Sequence, residues 1–309
     1  MQTLTKNRLL SIFLLILLLA VLTKAGLSTD APLSDIDGHT PELSTEYLVT
    51  QYADASGAQG TFYTVENEDY FMIIDGGWAD NADAVRKIIQ AHGSHVDAWI
   101  ISHPHRDHAG AFNEIMKNPD NITIDAIYDN GFDYDFIEET GEPYDDITVM
   151  ETYYSLTKDD ARVTHLKRGD SIEICGLTLD VLNAWDEYVL YTVGDEKDYQ
   201  NNASLLFLLK SKNTSMLFCS DIKYDMDMLL KESLRGSLSC DYVQTGHHGN
   251  WSFSEEFYDS TGARAYFFDA PSEITDSPDF PASALKRHFL DHQKSVFDFS
   301  TAPNAVIFK

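Results

Sequence analysis

The stretch Ser102-His103-Pro104-His105-Arg106-Asp107-His108 packs three imidazoles and a carboxylate into its last six residues. Imidazole nitrogen and carboxylate oxygen together suit zinc, manganese or iron, and residues two apart on an extended segment can aim at one side of a loop. His103 with His105 makes a pair for one cation, and Asp107 with His108 a pair for a second. A polar surface loop is the plain alternative, but it has no need of so dense a set of ligating groups. Val96 to Ser102 is an apolar run of strand length, and Ala111 to Lys117 has the composition of a short helix. The ligating residues are therefore expected in a loop, His103 to Gly110, where a strand gives way to a helix.

Toward the N-terminus, Tyr47 to Tyr52, Thr61 to Val65 and Tyr70 to Ile74 read as a three-strand meander closed by the turn Asp75-Gly76-Gly77. Ala84, Val85, Ile88 and Ile89 then recur at helical spacing between Asn81 and His92, and Gly93 ends the pattern. Toward the C-terminus, strands are expected at 126–128, 171–174, 177–183, 205–209, 216–219, 243–245, 265–269, 295–297 and 305–308, with helices over 142–160, 225–234 and 282–291. Strands in both halves with helices between them predict two packed sheets flanked by helices.

Two later clusters supply what the first lacks. Asp221, in Phe218-Cys219-Ser220-Asp221, follows an apolar strand, where its carboxylate can bridge two cations. His247 and His248 follow another strand in Thr245-Gly246-His247-His248-Gly249, between glycines that permit close backbone approach. Singly, these are a capping Asp and a surface His pair.

Together, the order H-x-H-x-D-H, S-D, G-H-H-G resembles the metallo-β-lactamase superfamily from Tyr47 to Lys309. The resemblance implies an α+β four-layer αβ/βα sandwich of two mixed β-sheets flanked by helices, with a metal site at the shared sheet edges. It implies His103, His105, Asp107, His108, Asp221 and His247 as metal residues, with His247 preferred over His248. Asp107 and Asp221 are the implied catalytic residues. Asp75, in Ile73-Ile74-Asp75-Gly76-Gly77, matches the family's early D-G turn and is expected to support the ligands from behind. The implied cofactor is Zn2+, as one ion or two, with Mn2+ or Fe2+ as alternatives.

Within the superfamily, Asn201-Asn202-Ala203-Ser204-Leu205-Leu206 and the H-H-G motif are similar to the metallohydrolase domain of bacterial competence DNA-uptake proteins. Ser220 departs from that group's Thr-Gly before the Asp, and Asn250 from its Ser after H-H-G. Many superfamily members place a third His where Asn201 and Asn202 stand here. An amide oxygen is a weaker ligand, so the position nearer His103 and His105 is expected to bind less tightly or to leave an opening. Asn201, Asn202 and His248 are the weak-ligand or supporting residues.

The chain of 309 residues carries 50 acidic against 22 basic side chains, a formal charge of −28. That charge repels a polyanion at long range and disfavours extended nucleic acid, although bound cations can reverse the field near a site. A small phosphoester is the favoured substrate. The N-terminus carries Lys6 and Arg8 ahead of an apolar run from Leu9 to Leu22, which reads as a signal peptide or signal anchor. The expected organisation is an export segment over 1–25, a linker over 26–45 and a hydrolase domain over 46–309. The protein is thus expected outside the cytoplasm, secreted or anchored, touching membrane only through that segment. Cys175, Cys219 and Cys240 are too few and too scattered for a disulfide framework and are expected to pack. The acid-rich stretch from Tyr128 to Asp146 is expected as a solvated surface loop, with a border of the site entrance as the alternative. The function expected is an exported metal-dependent hydrolase that cleaves a phosphoester or phosphodiester with a metal-bound hydroxide. The alternatives are a β-lactamase or other ester or amide hydrolase, and a non-catalytic surface binding protein.

Overall fold

Phe71–Asp75 has four consecutive apolar residues, and all five of its residues are buried, the pattern of a strand covered on both faces. Met72 and Ile74 point one way, into a core shared with Ala98, Ile100, Phe207 and Phe218. Phe71 and Ile73 point the other way, among Val85, Trp99, Phe112 and Ile115. This period-2 division places the strand in a sheet sandwiched between a second sheet and a helical layer. Burying each such side chain contributes about 1.5–3 kcal/mol.

The computed structural model describes residues 46–142, 145–193, 198–234 and 238–309. The export segment and linker expected over residues 1–45 lie outside them. Among the described residues, no helix is long and apolar enough to cross a membrane.

The strands are β1 (Tyr47–Gln51), β2 (Phe62–Glu66), β3 (Phe71–Asp75), β4 (His95–Ile101), β5 (Thr123–Asp129), β6 (Val163–His165), β7 (Ser171–Ile174), β8 (Leu177–Asn183), β9 (Leu206–Lys210), β10 (Ser215–Phe218), β11 (Tyr242–Gln244), β12 (Ala265–Phe267), β13 (Ser295–Phe297) and β14 (Asn304–Phe308). They form two seven-stranded sheets, in the orders β14-β1-β2-β3-β4-β5-β6 and β13-β12-β11-β10-β9-β8-β7. Each sheet is mixed. β3 to β6 run parallel in the first and β10 to β13 in the second, and the remaining neighbours are antiparallel.

The helices are α1 (Ala82–Ala91), α2 (Arg106–Lys117), α3 (Tyr134–Thr140), α4 (Ile147–Thr157), α5 (Glu187–Val193), α6 (Tyr199–Asn202), α7 (Asp227–Ser233), α8 (Glu255–Thr261), α9 (Ser272–Thr275) and α10 (Pro281–Asp291). Residues of α1, α2 and α4 pack with the outer face of the first sheet, and residues of α7, α8 and α10 with that of the second. The expected α+β sandwich of two mixed sheets flanked by helices is the architecture found.

Two local expectations are corrected. The polar residues after His105 are not loop: α2 begins at Arg106, so Asp107 and His108 occupy its first turn. The acid-rich stretch is not simply solvated loop, because Asp129 belongs to β5 and is buried, α3 lies inside the stretch, and Asp145 is buried. The cysteines are free thiols, with Cys219 and Cys240 buried. Burial pushes the Cys240 thiol up to about 12, so both serve packing, as expected.

Candidate metal centre

The carboxyl ends of the parallel strands from both sheets converge on one site. Asp75 ends β3, Ser102 and His103 follow β4, Ser220 and Asp221 follow β10, and His247 and His248 follow β11. Strand ends of this kind are the usual place for a ligand in sheets with parallel strands. The backbone bends sharply there: Asp75, Ser220, His247 and His248 have φ of 55°, 49°, 46° and 55°. Non-glycine residues pay for that left-handed conformation, and such cost gathers at functional sites. Two glycines make room. A Cβ on Gly110 would lie 2.4 Å from Ala79 N, and one on Gly249, at φ +91°, would lie 2.5 Å from the Phe268 ring.

Six of the residues singled out in the sequence come together. His103 Nε2 and His105 Nδ1 face each other at 2.9 Å. His108 Nε2 lies 3.2 Å from Asp221 Oδ1, and His248 Nε2 lies 3.2 Å from Asp107 Oδ2 and 3.3 Å from Asp221 Oδ2. Asp221 therefore stands between two imidazoles, as a bridging carboxylate must. Ligand atoms of His103, His108 and Asp221, and again of Asp107, His108 and His248, lie within 4.8 Å of one another.

Behind this layer, Asp75 accepts Ser102 N–H at 2.7 Å, Ser102 Oγ–H at 2.8 Å and His108 Nδ1 at 2.8 Å. Asp75 thus supports the His108 ring from behind, taking the Nδ1 proton and turning Nε2 inward. His248 Nδ1 is likewise oriented by the Asp269 carbonyl at 3.1 Å.

The order of the pair in G-H-H-G differs from expectation. His248, not His247, presents Nε2 to the carboxylates, while His247 Nδ1 is held by the Asn250 carbonyl at 2.7 Å and its ring lines the neighbouring cavity. Consecutive left-handed residues reverse the direction of the chain between the two rings, which the motif alone does not reveal. The Asn pair also divides. Asn201 lines the cavity. Asn202 instead serves the loop, accepting Lys223 N–H at 3.1 Å and donating to the Asp198 carbonyl at 3.0 Å.

Burial would disfavour charge on all of these groups, and their neighbours decide the outcome. Burial alone lowers His108, but the charges of Asp221 and Asp75 outweigh it and hold the ring well above the ordinary imidazole range. His248 follows the same logic, resisted by burial and carried up to about 10 by Asp221 and Asp107. Burial would raise the carboxyls of Asp107 and Asp221, yet these same imidazoles hold both below the usual range. Burial dominates at His103, reinforced by His108 and His105, and keeps that ring neutral, the form that binds a cation.

Polar atoms in the cluster point at one another without bonding. His108 Nε2, His248 Nε2, Asp221 Oδ1, Asn201 Oδ1 and Asp198 Oδ1 are buried with no hydrogen-bond partner. Buried polar atoms without partners are rare and costly, and imidazole with carboxylate is the donor set of a zinc-like divalent cation. The residues present fit such an ion at two adjoining positions. His103, His105 and Asp221 would hold one, and Asp107, His108, Asp221 and His248 the other.

A cavity of about 430 Å³ opens onto the cluster and is lined by His105, Asp107 and Asp221 together with Trp78, Arg106, Asp198, Lys223, Tyr224 and Trp251. Asp198 and Lys223, which pair at 2.6 Å, were missed in the sequence, as were the aromatic residues, because nothing in their spacing marks them. Arg106 lies 4.8 Å over the Trp78 ring. Two further histidines are held elsewhere: His165 by Asp129 at 2.5 Å, and His288 by Asp259 at 3.0 Å and Glu255 at 3.2 Å.

Comparison with known proteins agrees with the architecture. Residues 55–171 match the family described as the Metallo-beta-lactamase superfamily. Among solved structures, the metallo-beta-lactamase fold protein YhfI from Bacillus subtilis is similar at 14% identity with a TM-score of 0.52, over 85% of this chain and 99% of that one. CmlA, a diiron beta-hydroxylase from Streptomyces venezuelae, is similar at 11% identity with a TM-score of 0.53, over 84% of this chain and 54% of that one. No curated protein matches the chain. The fold is the metallo-β-lactamase fold.

Proposed function

We propose that the protein is an exported metal-dependent hydrolase of small phosphoesters, phosphodiesters in particular. The observation that carries this reading is Asp221, whose two carboxylate oxygens face His108 and His248 at 3.2 and 3.3 Å beside a cavity with two basic side chains. A divalent cation held there lowers the proton affinity of water and polarises a phosphoryl oxygen. The chain's own groups do the rest. Asp107 and Asp221 sit where they can orient a nucleophilic water, and Arg106 and Lys223 lie where they can meet ester oxygens. His248, with Nδ1 at the Asp269 carbonyl and Nε2 facing the carboxylates, is turned away from a leaving group, and Arg106, which keeps its proton, can only stabilise the charge that develops there.

Charge supports a small anionic substrate. The cavity wall carries three carboxylates, Asp107, Asp198 and Asp221, against Arg106 and Lys223. One divalent ion turns that local balance positive, so an anion can be attracted into the site while the surface as a whole repels polyanions. The N-N-x-S and H-H-G stretches support a place near the competence-type metallohydrolases, and the basic flank and apolar run at the N-terminus support export. The decisive experiment is hydrolysis of bis(p-nitrophenyl) phosphate by the purified protein, lost with chelator and restored by Zn2+ or Mn2+. No turnover of any phosphoester alongside hydrolysis of a lactam would replace this reading with the β-lactamase one. Cell fractionation tests export, and an intact, freely soluble cytoplasmic protein would refute it.

A further inference from the structure

His105 is tied at both ring nitrogens. Its Nδ1 lies 2.9 Å from His103 Nε2, and its Nε2 lies 3.1 Å from Asp145 Oδ1. A ring nitrogen offers its lone pair to a cation only when the proton rests on the other nitrogen, and the partner of that other nitrogen decides where the proton rests. An ionised carboxylate accepts hydrogen bonds and cannot donate them. Asp145 therefore keeps the proton on Nε2 and leaves Nδ1 bare toward His103.

We propose that Asp145 is the positioning residue of the His103–His105 cation position, selecting the tautomer and fixing the ring through which His105 binds. It touches neither the cation nor the substrate and acts only through His105.

The contact is built into the fold. Asp145 is 2% exposed and His105 is 7% exposed, a degree of burial a carboxylate reaches only when satisfied. Asp145 Oδ2 accepts Glu142 N–H at 2.6 Å and Asp145 N–H donates to the Glu142 carbonyl at 2.9 Å, and these two bonds fix the carboxylate with Oδ1 at His105. Asp145 is held in place by α4, which starts two residues later and is pinned to α2. Asn113 donates to the Val149 carbonyl at 3.1 Å, and the Phe112 and Tyr153 rings lie 5.5 Å apart. The helix that carries Asp107 and His108 thereby also holds the segment that carries Asp145.

The His103–His105 position has particular need of such support. Asn201 stands where the superfamily resemblance leads one to expect a third imidazole; with Asp198 it lines the cavity, and each leaves a buried oxygen unpaired. With fewer strong donors, its affinity depends more on how well His105 is aimed.

The inference rests on the metal-centre part of the proposed function and not on the ester, so no substrate enters its test. Zn2+ is titrated against a competing chelator in the full-length protein, Asp145→Asn and Asp145→Ala. The imidazole nitrogens of the metal-free proteins are followed by NMR. The native protein is expected to bind two ions, one more weakly. Asp145→Ala is expected to weaken that ion by about 10–100-fold and leave the tighter one unchanged. Asp145→Asn, whose amide oxygen still accepts Nε2–H without the charge, is expected to fall between. The His105 ring should pass from the Nε2–H form to a mixture in Asp145→Ala. Equal weakening of both ions with a lower melting temperature would reduce Asp145 to a packing residue and overturn the proposal. Native affinity for both ions in Asp145→Ala, an unchanged tautomer, or a native protein with no ion at the His103–His105 position would overturn it as well.

Discussion

Asp75 holds His108 from behind: its Oδ2 accepts the Nδ1 proton at 2.8 Å while the opposite nitrogen of the same ring faces Asp221 Oδ1 at 3.2 Å. The same carboxylate receives the N–H and hydroxyl of Ser102, at the end of the strand that delivers His103. Asp75→Ala is therefore expected to cost metal affinity about 10–100-fold and, by orphaning the buried Ser102 N–H, about 1–3 kcal/mol of stability. Asp75→Asn keeps an acceptor and should lose less of both. Metal titration and thermal melting of the two variants make the check. Native metal affinity in Asp75→Ala would show that His108 is aimed by its packing alone.

His247→Ala and His248→Ala should separate cleanly. His248 closes a ring of contacts with Asp107 and Asp221, and its removal leaves two buried carboxylates facing each other with one fewer imidazole between them. Elemental analysis of His248→Ala should show loss of the ion at the Asp107–His108–Asp221 position. His247→Ala should retain its metal and change only the kinetics, because His247 borders the cavity without facing the carboxylates. Loss of metal in His247→Ala with retention in His248→Ala would reverse the assignment.

The reach of the sequence can be traced in the same residues. The continuous apolar run of Phe71–Asp75 and the short apolar runs around it made the sheets legible, because such a run is a local property. The density of imidazole between His103 and His108 made the centre legible, because its chemistry has few other uses. The start of α2 was not legible: Arg106-Asp107-His108 is polar and follows Pro104, yet it is helical, with Ala109 N–H bonded to the His105 carbonyl at 2.8 Å. Which ring of His247-His248 turns inward depends on two successive left-handed residues, a conformation that neither side chain announces. Asp145 lies forty positions from His105, in a stretch whose many other acids conceal it, and only the packing of α4 on α2 brings the two together.

The metal-free protein should lose stability as pH rises from mildly acidic to alkaline. His108 and His248 are raised above the ordinary imidazole value, His248 to about 10. Their contribution is complete below their unfolded value of about 6.5 and is lost as pH climbs through the folded values. Asp107 and Asp221 are depressed, so theirs is complete above about 3.9 and is lost as pH falls through the folded values. The cluster therefore stabilises most between about pH 4 and 6.5. Melting in chelator at pH 5.5, 7.5 and 9.5 should show a declining midpoint, flattened in His248→Ala. Because a cation needs these rings deprotonated, metal binding at pH 7 should also release about two protons, measurable by calorimetry in buffers of different ionisation heat. A level melting profile with no proton release would contradict the charge state described for the cluster.

A small phosphodiester should be hydrolysed faster than long double-stranded DNA. Binding to a duplex draws its affinity from cations that neutralise successive phosphates, and the affinity falls steeply with salt in proportion to their number. Among the described residues the cavity offers only Arg106 and Lys223, and both are engaged, Arg106 with Asp146 at 3.8 Å and Lys223 with Asp198 at 2.6 Å. Around them lies a chain of net charge −28, which opposes any extended polyanion beyond the site. A small diester needs only the centre and one or two donors, so its kcat/KM should change little between low and physiological salt. The rim that surrounds it is aromatic as well as charged: Tyr224 and Trp251 line the cavity at 54% and 53% exposure, and Trp251 keeps a left-handed φ of 46°. Such rings give a compact substrate apolar contact that does not depend on salt. Parallel kinetics on bis(p-nitrophenyl) phosphate and a long duplex at two ionic strengths provide the measurement. Efficient cleavage of the duplex with a steep salt dependence, together with poor turnover of the small diester, would place the phosphate-binding surface outside this cavity and defeat the prediction.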